Sequence, residues 1–128
     1  MEKVLESMPQ LEIVELQKLV VQWAKDKKLI KKENAPKQFM KVVEELGELS
    51  SAIIKEDIDK ELDGFGDVLV TLIVLSEQRN IDLKLALNLA YNEIKDRKGI
   101  LKDGSFIKEE NEFIDYTGKD FPKTDIIE

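Results

Sequence analysis

From Val68 to Leu75 the chain reads Val-Leu-Val-Thr-Leu-Ile-Val-Leu, and no other stretch constrains the fold as much. A helix that is apolar on every face has to be buried on every face. The β-branched residues are also compatible with a strand, but length and continuity with the flanking helical pattern favour a helix over about 60–79. A chain of 128 residues is long enough for one domain and a real core. It can hardly surround a helix completely, so part of this surface is expected to meet another subunit.

The remaining elements follow from periodicity and punctuation. Ser7 and Pro9 read as the cap and first turn of an initial helix, with Leu11, Val14, Leu16, Leu19, Val20, Trp23 and Ala24 at helical spacing, fading at Lys27-Lys28-Leu29. Ala35-Pro36 opens a second helix whose stripe is Phe39, Val42, Val43, Leu46, Leu49 and Ile53. The short turn at 56–59 sets the second and third helices antiparallel. Asp82 caps a fourth helix with Leu83, Leu85, Ala86, Leu89, Ala90 and Ile94 turned inward, ending near Lys98-Gly99. Asp103-Gly104 between short apolar pairs suits a hairpin. Beyond Glu109 the chain is polar with scattered aromatics (Phe113, Tyr116, Phe121), either an arm that reaches a partner or a loose end. The expected architecture is all-α, a four-helix bundle over residues 1–99 followed by a hairpin or irregular tail over 100–128.

Composition narrows the chemistry. There is no cysteine and no histidine, which removes thiolate, Ser-His-Asp and nearly all zinc catalysis. Any metal must be held by oxygen, which favours magnesium, manganese or calcium. A formal net charge of −7 argues against nucleic-acid binding, although not against one nucleotide carried on metal ions. No apolar run reaches the ~20 residues of a membrane span, and the first residues lack the core of a secretory signal. A cytoplasmic location is expected.

Acidic residues gather where the helices should face one another. Glu44, Glu45 and Glu48 lie in Glu-Glu-Leu-Gly-Glu on the second helix, and Asp63 and Asp67 in Asp-Gly-Phe-Gly-Asp on the third. Taken alone, Lys41, Glu45, Glu48 and Ala52 describe a solvated face with helical Lys-Glu pairs. Asp67 tips the balance, because it heads the apolar stretch, where an unpaired carboxylate is costly. Between Glu61 and Arg79 there is no lysine or arginine to compensate it. A divalent cation shared by the two helices would do so, and facing acidic pairs are a known way to build such a site in a bundle.

With these residues in place, the chain resembles the MazG-like nucleoside triphosphate pyrophosphohydrolases of the all-α NTP pyrophosphatase superfamily. The likeness runs from about Leu11 to Glu109. It includes Tyr91-Asn92-Glu93-Ile94-Lys95-Asp96-Arg97-Lys98-Gly99, a segment found in phage and prophage members. The family carries Glu-Glu-x-x-Glu on one helix and Glu-x-x-Asp on the next. One departure stands out: the glutamate expected three residues before Asp67 is Gly64. The resemblance implies Glu45, Glu48 and Asp67 as ligands of Mg2+ (or Mn2+), with Asp63 as the nearest substitute for the missing glutamate.

It further implies cleavage of an NTP or dNTP between the α and β phosphates, giving a monophosphate and pyrophosphate, with Glu44 or Glu48 as base. Lys95 and Arg97 would contact phosphate, although basic residues at a helix C-terminus also stabilise its dipole. Asn92 and Tyr91 would reach sugar or base. Trp23 either stacks on the base or belongs to the core. A homodimer or homotetramer satisfies the apolar third helix. Two rival readings are a catalytically weakened nucleotide- or metal-binding member of the fold and a helical oligomerisation module.

Overall fold

The computed structural model describes residues 6–109, in two compact units, one ending at Ala86 and the other beginning at Leu87. The architecture is mostly helical with one small hairpin. Helix α1 spans Ile13–Asp26, a single 3-10 turn covers Lys32–Asn34, α2 spans Ala35–Ile54, α3 spans Ile58–Gln78 and α4 spans Leu83–Ile94. Strands β1 (Gly99–Lys102) and β2 (Ser105–Lys108) follow.

The first helix starts later than its sequence suggests. Glu6 and Ser7 are helical but Met8 bends, so Pro9 follows a helical segment instead of opening one. The start is fixed at Glu12, whose backbone N–H donates to the Glu15 carboxylate at 3.2 Å in a capping-box arrangement. At the other helix starts the punctuation is as read: Pro36 lies in the first turn of α2, and Asp82 Oδ1 accepts from Lys84 N–H and Leu85 N–H at 2.9 and 3.3 Å.

Helices α1, α2 and α3 close alike, each with a non-glycine residue in the left-handed region. Lys28, Glu56 and Asn80 have φ of 61°, 54° and 57°. Behind each, the next residue's N–H bonds back across the last turn: Leu29 to Ala24 O, Asp57 to Ala52 O and Ile81 to Ser76 O, at 2.9, 3.0 and 2.8 Å. These are Schellman ends. At Glu56 the next residue, Asp57, already caps α3 by accepting from Lys60 N–H at 3.2 Å, so only residues 55–57 separate α2 from α3.

In the unit that ends at Ala86, α2 lies along α3 and α1 packs on α3. Ala24, Ala35, Val42, Leu49, Ala52 and Val74 form the core, and Gly64 is buried where α2 and α3 approach. Of the α2 stripe only Val42 and Leu49 are buried, while Phe39, Val43, Leu46 and Ile53 stay about half exposed. One neighbouring helix covers only part of an apolar stripe this wide. The Val68–Leu75 stretch is likewise not enclosed: Val74 is buried, but Leu69 is 55% and Leu72 37% exposed.

Helix α4 departs further from expectation. None of its residues is buried, and Leu85, Leu89 and Ile94, read as inward-facing, are all more than half exposed. Farther on, Gly99 pairs with Lys108 and Lys102 with Ser105, in the register expected of the Asp-Gly turn. Asp103 and Gly104 take φ of 51° and 80°, as a type I′ turn requires. The arm containing Phe113, Tyr116 and Phe121 lies outside the described residues.

Candidate functional site

Because α2 and α3 are antiparallel and joined by so short a turn, the second half of α2 faces the first half of α3. A cleft of about 330 Å3 lies between them, lined by Glu48, Ser51, Ala52 and Lys55 from α2, Asp57 at the turn, and Lys60, Asp63, Gly64 and Asp67 from α3. Nearer the middle of the pair, Gln38 Nε2 donates to Thr71 O at 3.1 Å and ties the helices together. A wider hollow of about 680 Å3 sits at their other end, around Phe39, Leu75 and Arg79. It contains none of the candidate carboxylates, so chemistry singles out the smaller cleft.

The five acids have different surroundings. Glu48 and Asp63 are exposed on the cleft wall, and Asp67 is half-buried there. Glu44 is turned outward and pairs with Lys41 at 3.9 Å. Glu45 is half-buried, and its Oε1 is fully buried without a hydrogen-bond partner. Burial pushes the Glu45 carboxyl above the usual carboxylate range, and the charges of Glu48, Asp67 and Glu44 push it further. Lys41 pulls the other way but more weakly. Glu45 is thus the group at which the acids of both helices act together.

These oxygens suit a hard cation. An unpartnered buried carboxylate oxygen needs either a proton or a metal, and with no cysteine or histidine the available donors are oxygens. Glu45, Glu48 and Asp67 would be the residues to hold it. Among the described residues no three acids yet converge closely enough to enclose an ion as they stand. Ligation therefore requires side-chain rotation on helices already facing one another.

Gly64 lines this cleft and also lies in the contact between the two helices. A Cβ there would meet Leu49 at 3.1 Å from Cδ1 and 3.3 Å from Cα, so the position belongs to the contact between helices. Its neighbour Asp63 faces the cleft. Sequence reasoning missed Lys55 and Lys60. The stretch between Glu61 and Arg79 indeed has no cation, yet these two lysines flank the turn and line the same cleft. Their signal was the turn itself, which brings the last residue of one helix beside the first turn of the next.

The remaining candidates lie elsewhere. Trp23 is on α1 and 47% exposed, so it is not a core residue. Tyr91 is 58% exposed on α4, and Asn92 Nδ2 donates to Asn88 Oδ1 at 2.9 Å. Lys95 is exposed just past α4, and Arg97 pairs with Glu93 at 3.7 Å. No described helix is long and apolar enough to cross a membrane.

Comparison with known proteins is sparse. The chain is 38% identical over 71 residues to an uncharacterised 18.2 kDa protein from the rep–hol intergenic region of Haemophilus phage HP1 (strain HP1c1). The match covers 56% of this chain and 44% of the phage protein, so the chain spans less than half of that relative. No protein-family model and no solved structure matches the chain.

Proposed function

We propose that this protein is a magnesium-dependent nucleoside triphosphate pyrophosphohydrolase of the MazG-like, all-α NTP pyrophosphatase type. The observation that carries the reading is the buried, unpartnered Glu45 oxygen, on a carboxyl whose pKa is raised by burial first and then by Glu48 and Asp67 on two facing helices. Likeness to a phage protein is in keeping with the phage-type branch of that family.

Magnesium, or manganese in its place, offsets phosphate charge and makes the α-phosphorus a better electrophile. The chain's own residues do the rest. Glu48 and Asp67 on the cleft wall, with Glu45 whose carboxyl feels both, would hold the cation, and a water would lie against the α-phosphorus of an NTP or dNTP. Its oxygen forms the new bond to phosphorus while the bond to the α,β-bridging oxygen breaks. The proton lost by the water passes to a carboxylate, and pyrophosphate leaves with the bond's electron pair. Glu48 suits the base because it is on the cleft wall, whereas Glu44 is engaged with Lys41. Asp63 adds negative charge to the same wall. Lys95, Arg97, Asn92, Tyr91 and Trp23 are the residues to which the family resemblance assigns the rest of the nucleotide.

The exposed apolar faces of α1, α3 and α4 support a homodimer or homotetramer, and a cytoplasmic location is part of the same proposal. The test is pyrophosphate release from a panel of NTPs and dNTPs with Mg2+ or Mn2+. Release that disappears in Glu48→Gln and Asp67→Asn is expected, and no release with any nucleotide and either metal overturns the reading. A second reading, nucleotide or metal binding without turnover, draws on the acids standing apart. A magnesium-dependent rise in melting temperature without pyrophosphate release would select it.

A further inference from the structure

Lys55 and Lys60 have no role in the reading above. Lys55 is the C-cap of α2, where a cation complements the helix dipole. Lys60 is in the first turn of α3, the wrong end for a cation, so helix electrostatics does not account for it. Both are exposed and line the cleft, and among the described residues neither forms an ion pair with an acid.

Their spacing from the carboxylates is the same on both helices. Lys55 is seven residues from Glu48, and Lys60 is seven residues from Asp67. Seven residues are close to two full helical turns, which returns each lysine to its acid's face about 10 Å along the axis. The cleft is therefore polar along its length. Lys55 and Lys60 lie at the closed end by the turn together with Asp57, whose carboxylate caps α3, Asp63 stands one turn beyond Lys60, and Glu48 and Asp67 lie toward the middle. A phosphate chain complements that arrangement, with its metal-bridged part at the acids and its free end on the ammonium groups.

Resting on the pyrophosphohydrolase reading, we propose that Lys55 and Lys60 bind the β and γ phosphates, the part that leaves as pyrophosphate. The triphosphate then runs along the cleft with its terminal phosphate at the α2–α3 turn and its nucleoside directed toward the other end of the helix pair. Lys55 and Lys60 are positioning residues for the leaving group.

Calorimetric titration of the full chain with inorganic pyrophosphate in Mg2+ tests this. Lys55→Met/Lys60→Met is compared with wild type, with the Lys55→Arg/Lys60→Arg variant, and with Lys31→Gln/Lys37→Gln, which removes the same charge outside the cleft. The expected result is at least a tenfold loss of pyrophosphate affinity in the methionine variant and less than twofold in the other two. Affinity for Mg2+ alone is expected to be undiminished. Equal pyrophosphate affinity in wild type and the methionine variant overturns the lysine assignment alone, as does a parallel loss in the Lys31/Lys37 variant or of Mg2+ binding. If wild type binds no pyrophosphate with Mg2+ and releases none from any NTP, the underlying reading fails as well.

Discussion

Gly64 of α3 rests directly on Leu49 of α2: a Cβ at residue 64 would stand 3.1 Å from the Leu49 Cδ1 and 3.3 Å from its Cα, so the contact would have to give by a few tenths of an ångström. Backbone on the far side cannot swing away as a side-chain tip would. Alanine at 64 gains about 1 kcal/mol of helix propensity, but forcing the helices apart costs roughly 1–3 kcal/mol. Gly64→Ala is therefore expected to lower the melting temperature slightly. Gly64→Glu, which restores the residue of the family pattern, is expected to lower it much further. It would drive a carboxylate into the contact with buried Leu49, at a cost of about 3 kcal/mol or more. Thermal unfolding of both variants checks this, and a Gly64→Glu protein as stable as wild type would mean that the added side chain escapes the Leu49 contact into the cleft that Gly64 also lines.

Glu45 makes stability depend on pH in a direction opposite to most carboxylates. Its folded-state pKa is raised, by burial first and then by Glu48, Asp67 and Glu44. The folded protein therefore holds a proton that the unfolded chain has already released. Stability falls as pH rises from the unfolded carboxyl value, about 4.3, through the higher folded one. Glu45→Gln removes that loss, since a desolvated amide costs less than a desolvated carboxylate. Without divalent ions the variant is expected to melt higher than wild type at pH 7, with the difference closing toward pH 4. Adding Mg2+ is expected to raise the wild-type melting temperature and leave the variant's unchanged. Parallel pH profiles for the two proteins would contradict the buried charge.

How much of this could be read in the sequence depends on what kind of signal was present. The four helices and the hairpin announced themselves through periodicity and through Pro36, Asp82 and Asp103-Gly104, because these signals are local. The antiparallel α2–α3 pair followed from its short turn, and with it the facing of Glu48 and Asp67. Burial was less legible. Periodicity shows which side of a helix is apolar, not what covers it, so Leu46, Leu85 and Leu89 read as core and are exposed in the single chain. At Gly64 a sequence pattern registers only the departure from glutamate, while the close contact with Leu49 exists only in three dimensions. Lys55 and Lys60 stand at the two sides of the turn, and the cleft they share likewise exists only in three dimensions.

Asp63 and Asp67 both line the cleft but are not equivalent. Asp67 is half-buried and is one of the charges that raise Glu45, whereas Asp63 is exposed and is not among them. Asp67→Asn is expected to reduce magnesium-dependent pyrophosphate release by roughly 100-fold or more, and Asp63→Asn by no more than about threefold. Comparing the two initial rates at saturating Mg2+ decides the matter. Equal losses would make Asp63 a ligand of the same rank.

Glu56 offers a way to strengthen the frame without touching the cleft. With φ of 54° it occupies the left-handed position of the α2 Schellman end, where glycine carries no Cβ penalty. The hydrogen bonds that define the end, Glu56 N–H to Ile53 O at 3.1 Å and Asp57 N–H to Ala52 O at 3.0 Å, use backbone only and survive substitution. Relief of the strain, about 1–2 kcal/mol, outweighs the extra freedom glycine gives the unfolded chain, about 0.5–1 kcal/mol. Glu56→Gly is expected to raise the melting temperature by roughly 2–5 °C. Because Lys55, Asp57 and Lys60 keep their places, affinity for pyrophosphate with Mg2+ should stay within twofold of wild type. A lower melting temperature would mean that the Glu56 side chain stabilises the turn by more than its backbone strain costs.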